Sequence, residues 1–178
     1  MADKIGILYS TVDGQTKKIC DVLYQVFKNE QIETDLYSID AFNQKLSDYH
    51  TLIIGASVRY GKHNKSVHEF ISANKMDLDK IQTAFFSVNL VARKKEKASP
   101  STNPYMLKFL RSLEWKADFL EVFAGKLDYQ SYSFWDSLMI KLIMKFTNGP
   151  TKTAQPIEYT DWEKVKAFGL GIAKAMKS

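Results

Sequence analysis

The sequence predicts an α/β fold: a doubly wound, five-stranded parallel sheet in the order 2-1-3-4-5, with helices on both faces and an inserted amphipathic helix after strand 5. Three observations carry this. Short apolar runs alternate with segments whose apolar residues recur at helical spacing. Most of the short runs are apolar almost without a break, as strands covered on both faces are. The turns leaving the first, third and fourth runs are rich in small, hydroxylated or basic residues, and an open sheet of this kind places its ligand beyond the carboxyl ends of its strands.

Taken in order, KIGILYS (4–10) reads as a strand buried on both faces, and TKKICDVLYQVFKN (16–29) puts Ile19, Leu23, Val26 and Phe27 on one helical face. ETDLYSI (33–39) is a second, more alternating strand, and HTLIIGAS (50–57) a third that ends in small residues. NKSVHEFISANK (64–75) is helical, with Val67, Phe70 and Ile71 aligned, and QTAFFSVNL (82–90) is the fourth strand. NPYMLKFLRSL (103–113) suits a helix with Pro104 in its first turn. DFLEVFAGKL (118–127) is the fifth strand. TDWEKVKAFGLGIAKAM (160–176) is a terminal helix, with Thr160 as cap and Glu163 completing a capping box. Right-handed crossovers then leave few topologies, and the ligand-facing loops become 10–16, 57–63 and 88–103. The polar stretch 94–104 reads as a loop at the crevice rim, and residues 128–157 as an insertion into a single domain spanning 1–178.

Composition narrows the class. The 178 residues carry a net charge of +5, with 45% hydrophobic and 25% charged residues, the balance of a soluble globular chain with room for an anionic partner. The single cysteine, Cys20, rules out an intrachain disulfide, and its place in a helix reads as a small buried hydrophobe. No apolar run precedes a cleavage site, and none reaches the ~18 residues of a membrane span. Basic residues are not interleaved with aromatics in a nucleic-acid-binding pattern, so no nucleic-acid partner is expected. No metal-ligand cluster, paired carboxylates or nucleophile–base pair stands out, so no metal is expected and the catalytic residues stay unassigned.

The first turn, STVDGQT (10–16), runs from a strand into a helix N-terminus, where free N–H groups and the helix dipole favour an anion. Ser10, Thr11 and Thr16 add hydroxyls, and Gly14 permits close backbone approach. A GxxxxGK[ST] loop and a GxGxxG fingerprint are both absent, which disfavours a nucleoside triphosphate or NAD. The same residues also serve as ordinary helix caps. The second loop, GASVRYGKHN (55–64), offers Ser57, Arg59, Tyr60 and Gly61, with an aromatic able to stack on a planar ligand. The third, SVNLVARKKEK (87–97), offers Ser87, Val88, Asn89 and Leu90 before a basic run. A compact phosphate, a flat ring and a polar ring edge together fit flavin mononucleotide (FMN).

STVDGQT resembles the phosphate loop of flavodoxins, roughly [ST]xTGxT, with Asp13 where that pattern has its second threonine, so a negative charge replaces a hydroxyl. The stretches GASVRYGKHN, FFSVNLVARKKEKASPSTNPYMLKFL, FWDSLMIKLIMKFTNG and YTDWEKV, in that order, resemble the quinone-dependent protoporphyrinogen IX dehydrogenases of bacterial haem synthesis. The resemblance implies a flavodoxin-like fold, FMN as cofactor, oxidation of protoporphyrinogen IX to protoporphyrin IX, and menaquinone or ubiquinone as acceptor. It maps the FMN contacts onto Ser10, Thr11, Val12, Asp13, Gly14, Gln15 and Thr16, and onto the loop starting at Ser87.

Two further expectations concern partners. Arg59, Arg93 and Lys94 lie on loops beside the flavin, and arginine can hold a substrate propionate in a bidentate pair; a solvated basic rim is the alternative. His63 is expected on a surface loop, either idle or relaying a proton. In SFWDSLMIKLIMKF (133–146), Trp135, Leu138, Met139, Leu142 and Phe146 share one face, flanked by Lys141 and Lys145. Such a helix, roughly 20 Å long, is too short to span a bilayer but suits a peripheral contact at the cytoplasmic face of the inner membrane. It could also line the substrate site, join two copies in a homo-oligomer, or pack on its own domain. An FMN- and NAD(P)H-dependent quinone reductase and a non-catalytic electron-transfer flavodoxin remain as alternatives, the latter at odds with the basic charge.

Overall fold

The apolar runs become strands in the computed structural model, which describes residues 3–177. Chain order runs β1 (Lys4–Ser10), α1 (Gln15–Asn29), β2 (Glu33–Ser38), β3 (Thr51–Arg59), β4 (Lys62–His63), α2 (Lys65–Leu78), β5 (Gln82–Asn89), α3 (Pro104–Ser112), β6 (Phe119–Ala124), β7 (Lys126–Leu127), α4 (Phe134–Phe146), β8 (Ile157–Glu158) and α5 (Trp162–Met176). The main sheet is ordered β2-β1-β3-β5-β6, with all these neighbours parallel. With the two-residue β4 set aside, that is the expected order 2-1-3-4-5.

Because side chains alternate along a strand, each unbroken apolar run feeds two cores. Ile5, Ile7, Ile53, Ala84 and Phe86 meet Ile19, Leu23 and Phe27 of α1 and Val165 and Ile172 of α5. Leu8, Leu52, Ile54 and Phe85 meet Val67 and Ile71 of α2 and Met106 and Phe109 of α3 on the other face. Gly55 is required here: a Cβ at this position would lie 2.2 Å from Phe86 Cζ.

Three details depart from the sequence reading. β3 runs on to Arg59 and turns back through Tyr60 and Gly61 into β4, so the second loop is a two-residue hairpin. Both turn residues have positive φ, 51° and 73°, as a primed hairpin turn requires. The fifth strand divides at Gly125, after which β7 pairs antiparallel with β8 and forms the stem of the insertion. The cap of α5 is Asp161, which accepts from Lys164 N at 3.0 Å. Thr160 is diverted, donating to Ala124 O at 2.7 Å and accepting from Gln15 Nε2 at 2.9 Å. Among the described residues, no helix is long and apolar enough to cross a membrane.

Candidate active site

Beyond the carboxyl ends of β1, β3 and β5 lies an open crevice enclosing about 680 Å³, solvent space at its mouth included, at the edge of the sheet where folds of this kind place their ligands. Of the residues expected to hold a cofactor, Thr11, Asp13, Gln15, Thr16, Ser57, Arg59, Gly61, Val88, Asn89 and Leu90 line it. Ser10, Val12, Gly14, Tyr60 and Ser87 lie outside that lining.

The first turn is organised around an open helix end. Gly14, at φ 84°, is the N-cap of α1 and offers no side-chain cap, so the first-turn amides have no partner from a cap. Thr11 Oγ1 accepts from Gly14 N at 3.0 Å and fixes the loop. Thr16 is 0% exposed, and its hydroxyl is one of two buried side-chain polar atoms without a hydrogen-bond partner among the described residues. A buried hydroxyl is rarely left orphaned. Beside an uncapped helix N-terminus, such a free donor suits a compact anion such as a phosphate. Gln15 is held away from that task by Glu158 and Thr160, at 3.2 and 2.9 Å.

Arg59, half-buried, joins three segments. Its Nη1 donates to both oxygens of Asp13, at 3.1 and 2.8 Å, and its Nη2 donates to Asp136 Oδ2 at 2.5 Å. The Tyr60 hydroxyl donates to Asp136 Oδ1, and Ser133 Oγ donates to Oδ2 at 2.7 Å. These bonds, Tyr60 first and then Ser133, with Arg59 adding to them, hold the Asp136 carboxyl below its usual range. The guanidinium also stands over the rings of Tyr60 and Tyr132. Tyr60 itself is 57% exposed at the rim.

The third loop is backed by a buried polar network. His63 Nε2 and Ser87 Oγ are 2.8 Å apart, and Asn89 Nδ2 donates to the same Oγ at 3.2 Å. Asn103 Nδ2 donates to Asn89 Oδ1 at 3.0 Å and to Lys97 O at 2.9 Å, while its own oxygen caps α3. Ser87 thus faces the network rather than the crevice. His63 is buried, not on the surface as the sequence suggested, and burial, followed by its neighbour His68, pushes its pKa down to about 3.

Arg93 donates to Leu90 O at 2.9 Å and to Thr147 O and Oγ1 at 3.0 and 2.8 Å, tying this loop to the end of α4. Lys94 follows it, half-buried. Tyr132, Ile140 and Ile143 of the insertion line the crevice, as do Val58, Val91, Tyr105, Gly125 and Lys126. None of these eight was picked out from the sequence. The opposite side of α4 leaves Trp135, Leu138, Met139, Leu142 and Phe146 exposed, Trp135 at 69% and Phe146 at 84%. Lys141 stands over the Tyr129 ring, and Lys145 is exposed.

Residues 6–154 match the family described as "Flavodoxin domain". The chain is 42% identical over 171 residues to the protoporphyrinogen IX dehydrogenase (quinone) of Escherichia coli strain K12, covering 96% of this chain and 94% of that protein. A Leishmania major protein of the same name is 39% identical over 172 residues, 96% of this chain and 74% of that one. A solved flavodoxin from the domain Archaea superposes with a TM-score of 0.53 over 98% of this chain and 99% of that chain; at 15% identity this is a likeness of fold. The chain belongs to the flavodoxin-domain family and, within it, to the quinone-dependent protoporphyrinogen IX dehydrogenases.

Proposed function

We propose that the chain oxidises protoporphyrinogen IX to protoporphyrin IX with FMN in this crevice, and that a membrane quinone takes the electrons. The observation that carries the cofactor is the orphaned Thr16 hydroxyl beside the uncapped α1 N-terminus, a cradle for one terminal phosphate. The substrate and acceptor are those in the names of relatives up to 42% identical over nearly the whole chain. FMN supplies two-electron redox chemistry there, so removing six hydrogens from the macrocycle takes three cycles, each closed by quinone. The protein's share is to bind, orient and exclude water. Val88, Leu90, Ile140 and Ile143 give the crevice an apolar lining for a flat, poorly soluble ring system. Arg59 offers a guanidinium for a propionate.

The exposed face of α4 is the contact with the bilayer in this reading. Its aromatic and aliphatic residues enter the headgroup region, with Lys145 toward anionic lipid, at the cytoplasmic face of the inner membrane. That brings the crevice to a lipid-dissolved acceptor.

The test is anaerobic. FMN-loaded protein mixed with protoporphyrinogen IX should lose its flavin absorbance and regain it on adding menaquinone. Bleaching by NADPH but not by the tetrapyrrole would overturn the assignment in favour of a nicotinamide-dependent quinone reductase. Replacing Trp135 and Phe146 by serine should abolish co-sedimentation with anionic vesicles; unchanged sedimentation would remove the lipid contact.

A further inference from the structure

In this structure α4 offers Arg59 and the crevice the same two features that a carboxylated macrocycle would. Its Ile140 and Ile143 supply apolar surface, and its Asp136 supplies a carboxylate on the Arg59 fork. We propose that Asp136 is a specificity-setting latch: it holds on Arg59 the place that a substrate carboxylate takes, and the exchange frees the N-terminal half of α4 from the crevice. The inference rests on the reading above that the substrate is a carboxylated tetrapyrrole.

The two ends of α4 are attached differently. At its C-terminal end Met144 is fully buried, Gly149 N donates to Met144 O at 2.7 Å, and Thr147 is bound by Arg93. A Cβ at Gly149 would come within 2.5 Å of both Arg93 Nη2 and Met144 Cε, so that corner is tightly packed. The N-terminal half buries no residue, and Phe134, Trp135, Leu138 and Met139 are exposed. Besides Ile140 at the crevice and Lys141 over the Tyr129 ring, what anchors that half is Asp136, through Arg59 and Tyr60. Tyr60 reaches Asp136 from a left-handed backbone position that a bulky side chain occupies only under strain. The helix is therefore pinned at one end and latched at the other.

Asp136 is also the exchangeable arm of the Arg59 fork. Asp13 belongs to the first turn, fixed by the Thr11–Gly14 bond and by α1. Asp136 sits on a segment that can swing about the Arg93 corner. Swapping one carboxylate for another keeps the guanidinium paired, and the displaced Asp136 passes to solvent as its half of the helix swings out, so no ion is stranded in the crevice. A tetrapyrrole without free carboxylates has nothing to offer Arg59 and leaves the latch closed.

Two variants with opposite consequences test this, in FMN-loaded protein at saturating FMN. Asp136→Asn and Arg59→Gln should both speed amide exchange across residues 134–140, by roughly ten-fold, the scale of one partly exposed charge-assisted contact. Asp136→Asn should lower the KM for protoporphyrinogen IX, because the competitor is gone. Arg59→Gln should raise it, because the anchor is gone. In the unmodified protein, protoporphyrin IX should speed exchange over 134–140, and its dimethyl ester should not. KM moving in the same direction in both variants, or ester and free acid acting alike, would overturn the latch. Exchange unchanged in Asp136→Asn while protoporphyrinogen turns over normally would sink the latch and spare the assigned activity. Protein that neither binds nor turns over the tetrapyrrole would sink both.

Discussion

Thr16→Val should stabilise the cofactor-free protein and weaken its hold on FMN. The substitution keeps the β-branched shape and removes only the hydroxyl. In the free chain that hydroxyl is fully buried and unpartnered, a desolvation penalty of about 1–3 kcal/mol. Its removal should raise the apo melting temperature by several degrees, at roughly 2–4 °C per kcal/mol for a chain of this size. With a phosphate in the α1 cradle the same hydroxyl donates a charge-assisted bond worth about 1.5–3 kcal/mol, so the FMN dissociation constant should rise by about 10- to 150-fold. Differential scanning calorimetry of stripped protein and a flavin-fluorescence titration read the two effects separately. The opposed signs are what make the test discriminating, since a merely structural threonine would lose stability when changed. A lower apo melting temperature, or an FMN affinity within two-fold of the parent, would refute the assignment of the phosphate to this helix end.

Other outcomes follow from the rest of the site and core. Since the folded-state pKa of His63 is pushed down to about 3 by burial and then His68, stability is intact above the unfolded value near 6.5. It should fall as pH drops toward 4, by about 1.4 kcal/mol per unit; His63→Gln should flatten that slope in pH-dependent urea melts, and an identical slope would count against the buried neutral ring. Gly55→Ala should cost roughly 1–3 kcal/mol by overpacking, because its Cβ would fall 2.2 Å from Phe86 Cζ; a urea midpoint equal to the parent's would contradict the close approach. Cys20 is fully buried, and burial pushes its thiol pKa up, so a thiol reagent should label nothing in native protein and one group per chain once unfolded. Labelling of native protein within minutes would show that α1 does not seal against α5 as described.

The strands and their order were legible because burial on both faces leaves a plain mark: runs such as LIIGAS need no partner to be named before they read as core. The turn from β1 into α1 was legible for a related reason, since STVDGQT compresses hydroxyls, a glycine and a helix start into one stretch. What the sequence concealed depends on contacts between distant residues. TDWE offers two adjacent cap residues, and only the 2.7 Å bond from Thr160 to Ala124 O, across 36 positions, decides between them. Tyr60–Gly61 is not one of the Asn-Gly or Asp-Gly pairs that announce a hairpin. His63 lies in a two-residue strand, too short for alternation to reveal that its side chain points inward. Tyr105 lies in the first turn of α3 and Tyr132 in an aromatic-rich stretch, 129–135, and no local pattern separates such residues from ordinary surface. The wide apolar arc of α4 was visible. Its division into an outer face and a crevice-lining pair, Ile140 and Ile143, was not, because periodicity gives a face without its direction.

Arg59 and Arg93 show how that limit bears on function. In the sequence they are equivalent, two arginines on loops beside a flavin. In the folded chain they meet different acceptors. Arg93 is satisfied by two backbone carbonyls and a hydroxyl, all part-buried. Drawing it away toward a substrate would strand those part-buried acceptors, at a cost. Arg59 is satisfied by carboxylates, one of them on the half of α4 that buries no residue. An arriving carboxylate can replace that one group for group. The charge of each residue was readable in advance, but whether its present partners can be exchanged was not, and that difference is why the proposed latch takes Arg93 as its hinge and Arg59 as its substrate anchor.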